Sequence, residues 1–285
     1  MTIWQAIILG IVQGLTEFIP ISSTAHLTLA GKAMGLVDPD HPEQWTAFIA
    51  VMQLGTLLAV VSYFLRDLVS ITRTFIAGNL MHPRRDTVDP ELRRGTLLGW
   101  MIIVGTLPIA IAGIGLKQII EGRLTKNLWV IAASLIGLAL ILTLAELMGS
   151  KRRGMGELRL TDAILVGVAQ VVALVPGSSR SGTTITGGLF AGLTREAAAR
   201  FSFLLSVPAI AASGLLELPK ALAAVHSDLT ALAVATVVSA IFGYLSIAFL
   251  LRYLQTHTTL LFVVYRIGLG ALLLFLLTTG RVGAY

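Results

Sequence analysis

The chain is expected to be an all-α polytopic membrane protein built as an inverted-topology repeat, with six full transmembrane helices and two re-entrant helix pairs, about ten helices in all. Three observations predict this. Of the 285 residues, 55% are hydrophobic and 13% charged, against roughly 25% charged in a soluble domain, and mean hydropathy is +0.85. Six apolar segments have the length that crosses a bilayer. Two further apolar segments are each interrupted by a proline and then serines, and they resemble each other.

The full spans are predicted near 44–65, 96–117, 126–147, 198–217, 228–251 and 259–279, and the interrupted segments near 2–35 and 161–192. At about 1.5 Å of rise per residue, neither half of an interrupted segment can cross the membrane. Each segment therefore reads as a helix that enters, turns and returns, a shape that survives only where protein or a wet cavity covers the break. A single kinked crossing at Pro20 or Pro176 is the competing reading. One membrane domain, 1–285, is expected, with repeats over about 1–150 and 158–280. The first apolar stretch lacks a basic flank and carries Gln13 and Glu17, so it reads as mature protein. The absence of cysteine excludes disulfides, thiol catalysis and Cys-ligated zinc.

The formal charge of +6 does not point to nucleic acid, because most of it sits in loops beside apolar spans. One side of the membrane receives Arg66, Arg73, Arg84, Arg85, Arg93 and Arg94 in the loop 66–95, then Lys151, Arg152, Arg153, Arg159, Arg195, Arg200 and Arg252. The other receives only Lys32, Lys117, Arg123, Lys126, Lys220 and Arg281. The richer side is cytoplasmic by the positive-inside rule, which puts both termini outside. Each half holds one re-entrant pair and three full spans. Three is odd, so the second half enters from the opposite face and the two broken tips can meet near the midplane.

The tips carry the chemistry. The first runs QGLTEFIPISSTAH from Gln13 to His26, and the second QVVALVPGSSRSG from Gln170 to Gly182. The offset is 157 at the glutamines and 156 when the serine pairs Ser22-Ser23 and Ser178-Ser179 are aligned. Gln13 and Glu17 share a helix face. Ser22 or Ser23 is placed to cap the returning helix, whose free N–H groups then face the cavity. Arg180 offers a planar fork for phosphate oxygens, and Ser178, Ser179, Ser181, Thr183, Ser22 and Thr24 supply hydroxyls or donors around it. Glu17 would repel phosphate unless it held a proton or a divalent cation. Mg²⁺ or Ca²⁺ on Glu17 and Gln13 resolves that conflict. Ser23 and His26 both qualify as nucleophile, and His26 can also relay a proton. Gln53, inside a span with Thr56 on about the same face, is a supporting candidate. Arg266, beside Tyr265 in the last span, needs a partner or a wet path, with snorkelling toward the headgroups as the alternative, while Glu146 and Glu217 read as interface markers. A structural ion pair between Arg180 and Glu17 is the bland alternative. Physics alone stops at a midplane anion site, enzyme or transporter.

The two tips resemble the bacterial undecaprenyl-pyrophosphate phosphatase family, also called bacitracin-resistance proteins. Gln13 to Glu17 is similar to its Glu/Gln-x-x-x-Glu motif, PISSTAH to its serine-histidine segment, and PGSSRSGTTI at 176–185 to its second motif, with Arg180 as the essential arginine. AVMQLGTLLAVV at 50–61 and FSFLLSVPAI at 201–210 also look familial. The resemblance implies removal of one phosphate from undecaprenyl pyrophosphate, giving undecaprenyl phosphate and inorganic phosphate. That recycles the carrier for cell-wall polymers and lowers the lipid that bacitracin captures. It further implies a divalent cation and a bacterial inner-membrane location, and the topology above opens the Glu17 and His26 tip to the outer face. Membrane lipid is expected as a partner, and a homodimer stays an open option.

Overall fold

The computed structural model describes residues 1–38, 40–81, 89–224 and 229–284. Among them are twelve α-helices and no strand beyond one isolated bridge between Arg153 and Leu193. Six helices are long and apolar enough to cross a membrane, close to the predicted spans. They are α3 (Pro42–Tyr63), α5 (Pro90–Gly115), α7 (Leu128–Met148), α10 (Arg195–Ala224), α11 (Leu229–Leu254) and α12 (Leu260–Thr278). The two extra helices beyond the expected ten are α4 (Leu65–Ile76) and the short α6 (Lys117–Glu121).

The region read as one loop over 66–95 is therefore largely helical. Leu68 and Ile71 pack on the main core, and Phe75 meets Trp100 and Gly99 of α5. This inward row, spaced three or four residues apart, is the apolar stripe of an amphipathic helix. Arg84 and Arg85 lie outside the described residues.

The interrupted segments form four short helices. α1 (Ile3–Phe18) opens with a capping box, in which the Thr2 hydroxyl accepts from the Gln5 amide and Gln5 bonds back to Thr2 N–H. It stops where Ile19 turns extended ahead of Pro20. α2 (Ser23–Ala33) begins three residues later. In the second segment, α8 (Leu160–Val171) passes through a 3₁₀ turn at Val172–Leu174, breaks, and α9 (Arg180–Phe190) follows. None reaches a bilayer's thickness: α1 has 16 residues and α2 has 11, at roughly 1.5 Å each.

Packing pairs the two halves. α1 lies on α11 and α8 on α5, while α3 pairs with α10 and α7 with α12. Both short-to-long contacts need glycine. A methyl on Gly10 would sit 2.6 Å from the Ala235 carbonyl oxygen, and one on Gly167 would sit 2.4 Å from that of Gly105. Small residues let backbones come this close where no hydrophobic force drives helices together. One apolar cluster joins Phe18, Phe64, Phe203, Leu189 and Ile247; a second joins Ala6, Leu9, Leu27, Trp45 and Leu232. In sequence, the stretch from Gln13 to His26 lies between Leu9 and Leu27 of the second cluster and contains Phe18 of the first.

Ion pairs gather on the arginine-rich side. Arg153 forks onto Asp162 at 2.6 and 2.9 Å, Arg200 pairs with Asp67 at 2.8 Å, and Arg195 Nε donates to Glu146 at 2.7 Å. Glu146 also accepts from the Thr259 hydroxyl at 2.8 Å and is buried. It is a joint between α7, α10 and the start of α12, a firmer role than the interface marker expected.

Candidate active site

Each break is made the same way. Ser22 and Ser179 both take left-handed backbone conformations, with φ of 77° and 70°. Each then caps the following helix: the Ser22 hydroxyl accepts from Ala25 N–H at 3.3 Å and the Ser179 hydroxyl from Gly182 N–H at 3.2 Å. A non-glycine residue held there costs roughly 1–3 kcal/mol, so the surrounding structure must hold it in place. Gly177, at φ 87°, makes the tight turn that the second tip requires.

The caps correct the sequence alignment. Pairing Ser22 with Ser179 gives the same offset of 157 that relates Gln13 to Gln170 and Gly10 to Gly167. Ser23 then corresponds to Arg180, and His26 to Thr183. Both Ser23 and Arg180 occupy the first position of the helix after the break, and both point to one carboxylate.

That carboxylate is Glu17, buried at 5% exposure. Its Oε2 accepts from Ser23 Oγ at 2.6 Å and from Gln13 Nε2 at 3.1 Å, and its Oε1 accepts from Arg180 Nη2 at 2.5 Å. The bland expectation of a Glu17–Arg180 ion pair is therefore realised, but it bridges the two breaks. Arg180 also donates to the Ser206 carbonyl at 3.3 Å. Ser181 Oγ lies 3.3 Å from the carbonyls of Glu17 and Ile19 and 3.2 Å from Ser179 Oγ, tying the tips together again. Chemically, Glu17 is set to take the proton of Ser23 while Arg180 balances its charge.

His26 is held at both nitrogens. Nδ1 sits 2.7 Å from the Ser22 carbonyl and must donate to it, since that oxygen can only accept. Neutral His26 therefore presents a lone pair at Nε2, 2.6 Å from the Tyr265 hydroxyl, with the two rings stacked 5.6 Å apart. No hydrogen bond joins His26 to Ser23 or Glu17.

The remaining candidates divide. Ser178 Oγ bonds the Val175 carbonyl at 2.5 Å and Thr183 Oγ1 the Arg180 carbonyl at 3.0 Å, so both shape the second tip. Thr24 is half-buried beside Ser23 and makes no side-chain hydrogen bond among the described residues. Gln53 is half-buried on α3; its carbonyl accepts from the Thr56 hydroxyl at 2.8 Å, and its side chain makes no hydrogen bond to the tips among the described residues. Tyr265 and Arg266, which stand out in the sequence without an assigned partner, both reach the site. Tyr265 meets His26 from 239 positions away. Arg266, fully buried, donates to carbonyls of both breaks.

For a divalent cation, the described residues hold no cluster of three acidic or histidine side chains. Gln13 Oε1, however, is a buried oxygen beside Glu17 with no hydrogen-bond partner among the described residues. One carboxylate and one amide oxygen are too few for a resident ion. They do suit Mg²⁺-type binding, in which phosphate oxygens and water complete the shell.

An undecaprenyl-diphosphatase of Syntrophobacter fumaroxidans is 54% identical over 277 residues, covering 97% of this chain and 98% of the relative. Undecaprenyl-diphosphatases of Chlorobaculum tepidum and Myxococcus xanthus are each 49% identical, covering 99% of this chain and 99% and 91% of the relatives. The family pattern described as bacitracin resistance protein BacA matches residues 6–272. That match takes in both breaks and all six long helices up to the last turns of α12, and the chain belongs to the bacitracin resistance protein BacA family.

Proposed function

We propose that the protein hydrolyses undecaprenyl pyrophosphate to undecaprenyl phosphate and inorganic phosphate, through a serine nucleophile at the first break. The carrying observation is the Ser23–Glu17–Arg180 constellation, with Ser23 Oγ 2.6 Å from a carboxylate that an arginine of the other break already neutralises. The diphosphate enters between the breaks and takes Arg180 from Glu17. The freed carboxylate accepts the Ser23 proton, and Ser23 Oγ bonds to the terminal phosphorus. The bond from that phosphorus to the bridging oxygen breaks, and undecaprenyl phosphate leaves with the electron pair. Glu17 releases the Ser23 proton to solvent. Water then attacks the phosphoserine as one of its protons passes to Glu17, the bond from phosphorus to Ser23 Oγ breaks, and Glu17 returns that proton to Ser23 Oγ as phosphate departs. Arg180 and the capped N-termini of α2 and α9 stabilise the charge developing on phosphate. Both ring nitrogens of His26 are engaged elsewhere, which favours Ser23 over His26 as nucleophile.

Glu17 and Gln13 Oε1 would hold a divalent cation together with the diphosphate. Such an ion supplies charge neutralisation at the phosphate oxygens. Full activity after exhaustive chelation, with no metal in the protein, would remove it from the proposal.

The two broken segments are read as re-entrant pairs of an inverted repeat, with the first opening to the outer face. Support comes from the constant offset of 157 and from the exchanged packing of α1 on α11 with α8 on α5. The site then meets carrier released after polymer export. An impermeant thiol reagent should label Thr24→Cys only from outside, and the chain offers no native thiol to interfere. Labelling from the cytoplasm alone would reverse the orientation. The enzyme assignment is tested by phosphate release from undecaprenyl pyrophosphate in detergent. A transporter without hydrolytic activity releases none there.

A further inference from the structure

Arg266 is a fully buried cation, and no carboxylate among the described residues pairs with it. All of its bonds go to backbone carbonyls. Nη2 donates to Ser178 at 2.9 Å, Gly177 at 3.2 Å and Ser134 at 3.4 Å; Nη1 donates to Pro20 at 3.4 Å and Nε to Leu135 at 3.2 Å. Pro20 belongs to the first break, Gly177 and Ser178 to the second. Where helices stop in an apolar interior, such carbonyls need donors from elsewhere.

The guanidinium fits this need for a geometric reason. It is a rigid plane with five N–H groups in fixed directions. A plane bonded to both breaks fixes the distance between them, which a compact ammonium head cannot do. α9 leaves room for it: a methyl on Gly182 would stand 2.7 Å from Arg266 Nη1. The neighbouring Tyr265 holds His26, so one turn of α12 reaches both breaks and the histidine.

We infer that Arg266 is a positioning residue that sets the spacing of the two breaks, so that Glu17 and Ser23 of one face Arg180 of the other. The inference rests on the reading of these breaks as the catalytic site. The test compares wild type, Arg266→Gln and Arg266→Lys for phosphate release from undecaprenyl pyrophosphate. In parallel, spin labels on Ile21→Cys and Val175→Cys report the separation of the breaks in lipid. Both Arg266 variants should lose about 100-fold in kcat, the effect of a misplacement of roughly 1 Å, with KM little changed and the distance distribution broadened. Wild-type kcat in the lysine variant would show that charge alone matters and overturn the inference. So would a fall in kcat with unchanged distances, or no fall in the glutamine variant. If the Arg266 variants do not fold, Gly182→Ala keeps the arginine but displaces it, and should both lower kcat and shift the distances. Unchanged values in that variant overturn the inference as well. An inactive wild type would instead sink the functional reading itself.

Discussion

The two breaks share a backbone and differ in chemistry. Each has a buried glutamine on the helix before it, a left-handed serine that caps the helix after it, and a glycine contact to a long helix. At the common offset of 157, Glu17 stands against Leu174, Ser23 against Arg180 and His26 against Thr183. In the proposed mechanism one break thus holds the acid and the nucleophile, and the other the fixed cation. A near-symmetric frame brings these unlike groups onto one carboxylate, where two identical tips would offer only like charges. The lesson is that the frame and the chemistry are separable, and substitutions can address each alone.

The largest expected effect removes the chemistry. Glu17→Ala should lower phosphate release by at least about 10³-fold, some 4 kcal/mol of transition-state stabilisation, because Ser23 loses its proton acceptor and Arg180 its counter-charge. The counterpart Leu174→Ala should leave turnover near wild type. Near-normal turnover in a folded Glu17→Ala protein would end the division of labour proposed between the breaks.

Next come the frame contacts. Gly10→Ala and Gly167→Ala each force a methyl into a carbonyl of the facing helix, and overpacking of this kind costs about 1–3 kcal/mol. The two losses should match in thermal unfolding of the purified protein. A loss in only one would show that the halves do not share a packing scheme.

Much of this was legible in sequence, and the failures have physical causes. Spans and breaks were readable because apolar length and Pro-Ser-Gly interruptions directly encode membrane crossing and its failure. Glu17 and Arg180 stood out because charge in an apolar helix is costly. The serine pairing slipped by one residue because Ser22-Ser23 and Ser178-Ser179 look alike as letters. Only the backbone shows that Ser22 and Ser179 carry the positive φ. Arg266 was noticed without its partners, since a backbone carbonyl carries no residue identity to recognise. Tyr265 lies too far from His26 in sequence for spacing to suggest contact. The helix Leu65–Ile76 was a missed signal: its row of Leu68, Ile71 and Phe75 was there to be read.

The caps should produce a smaller, paired effect. Ser22→Ala and Ser179→Ala lose the capping oxygen, at about 1 kcal/mol, while the strained φ remains. Glycine loses the oxygen too, but relaxes the backbone. Each glycine variant should therefore unfold at a higher temperature than the matching alanine variant. The reverse order at either position would mean that the left-handed conformation is not maintained there.

The smallest effect separates the two glutamines. Gln13 donates to Glu17, whereas neither amide atom of the fully buried Gln170 has a partner within the described structure. A buried polar group left unmatched costs about 1–3 kcal/mol, and replacing it with an apolar group of similar shape is nearly neutral or stabilising. Gln170→Leu should accordingly raise or hold the unfolding temperature and leave kcat unchanged. Gln13→Leu should lower kcat, since Glu17 then loses a donor that orients it toward Ser23. A clear destabilisation by Gln170→Leu would show that its amide is bonded in the membrane, for example to a buried water. The second break would then hold a polar interior of its own, and the two halves would be more alike in chemistry than their side chains suggest.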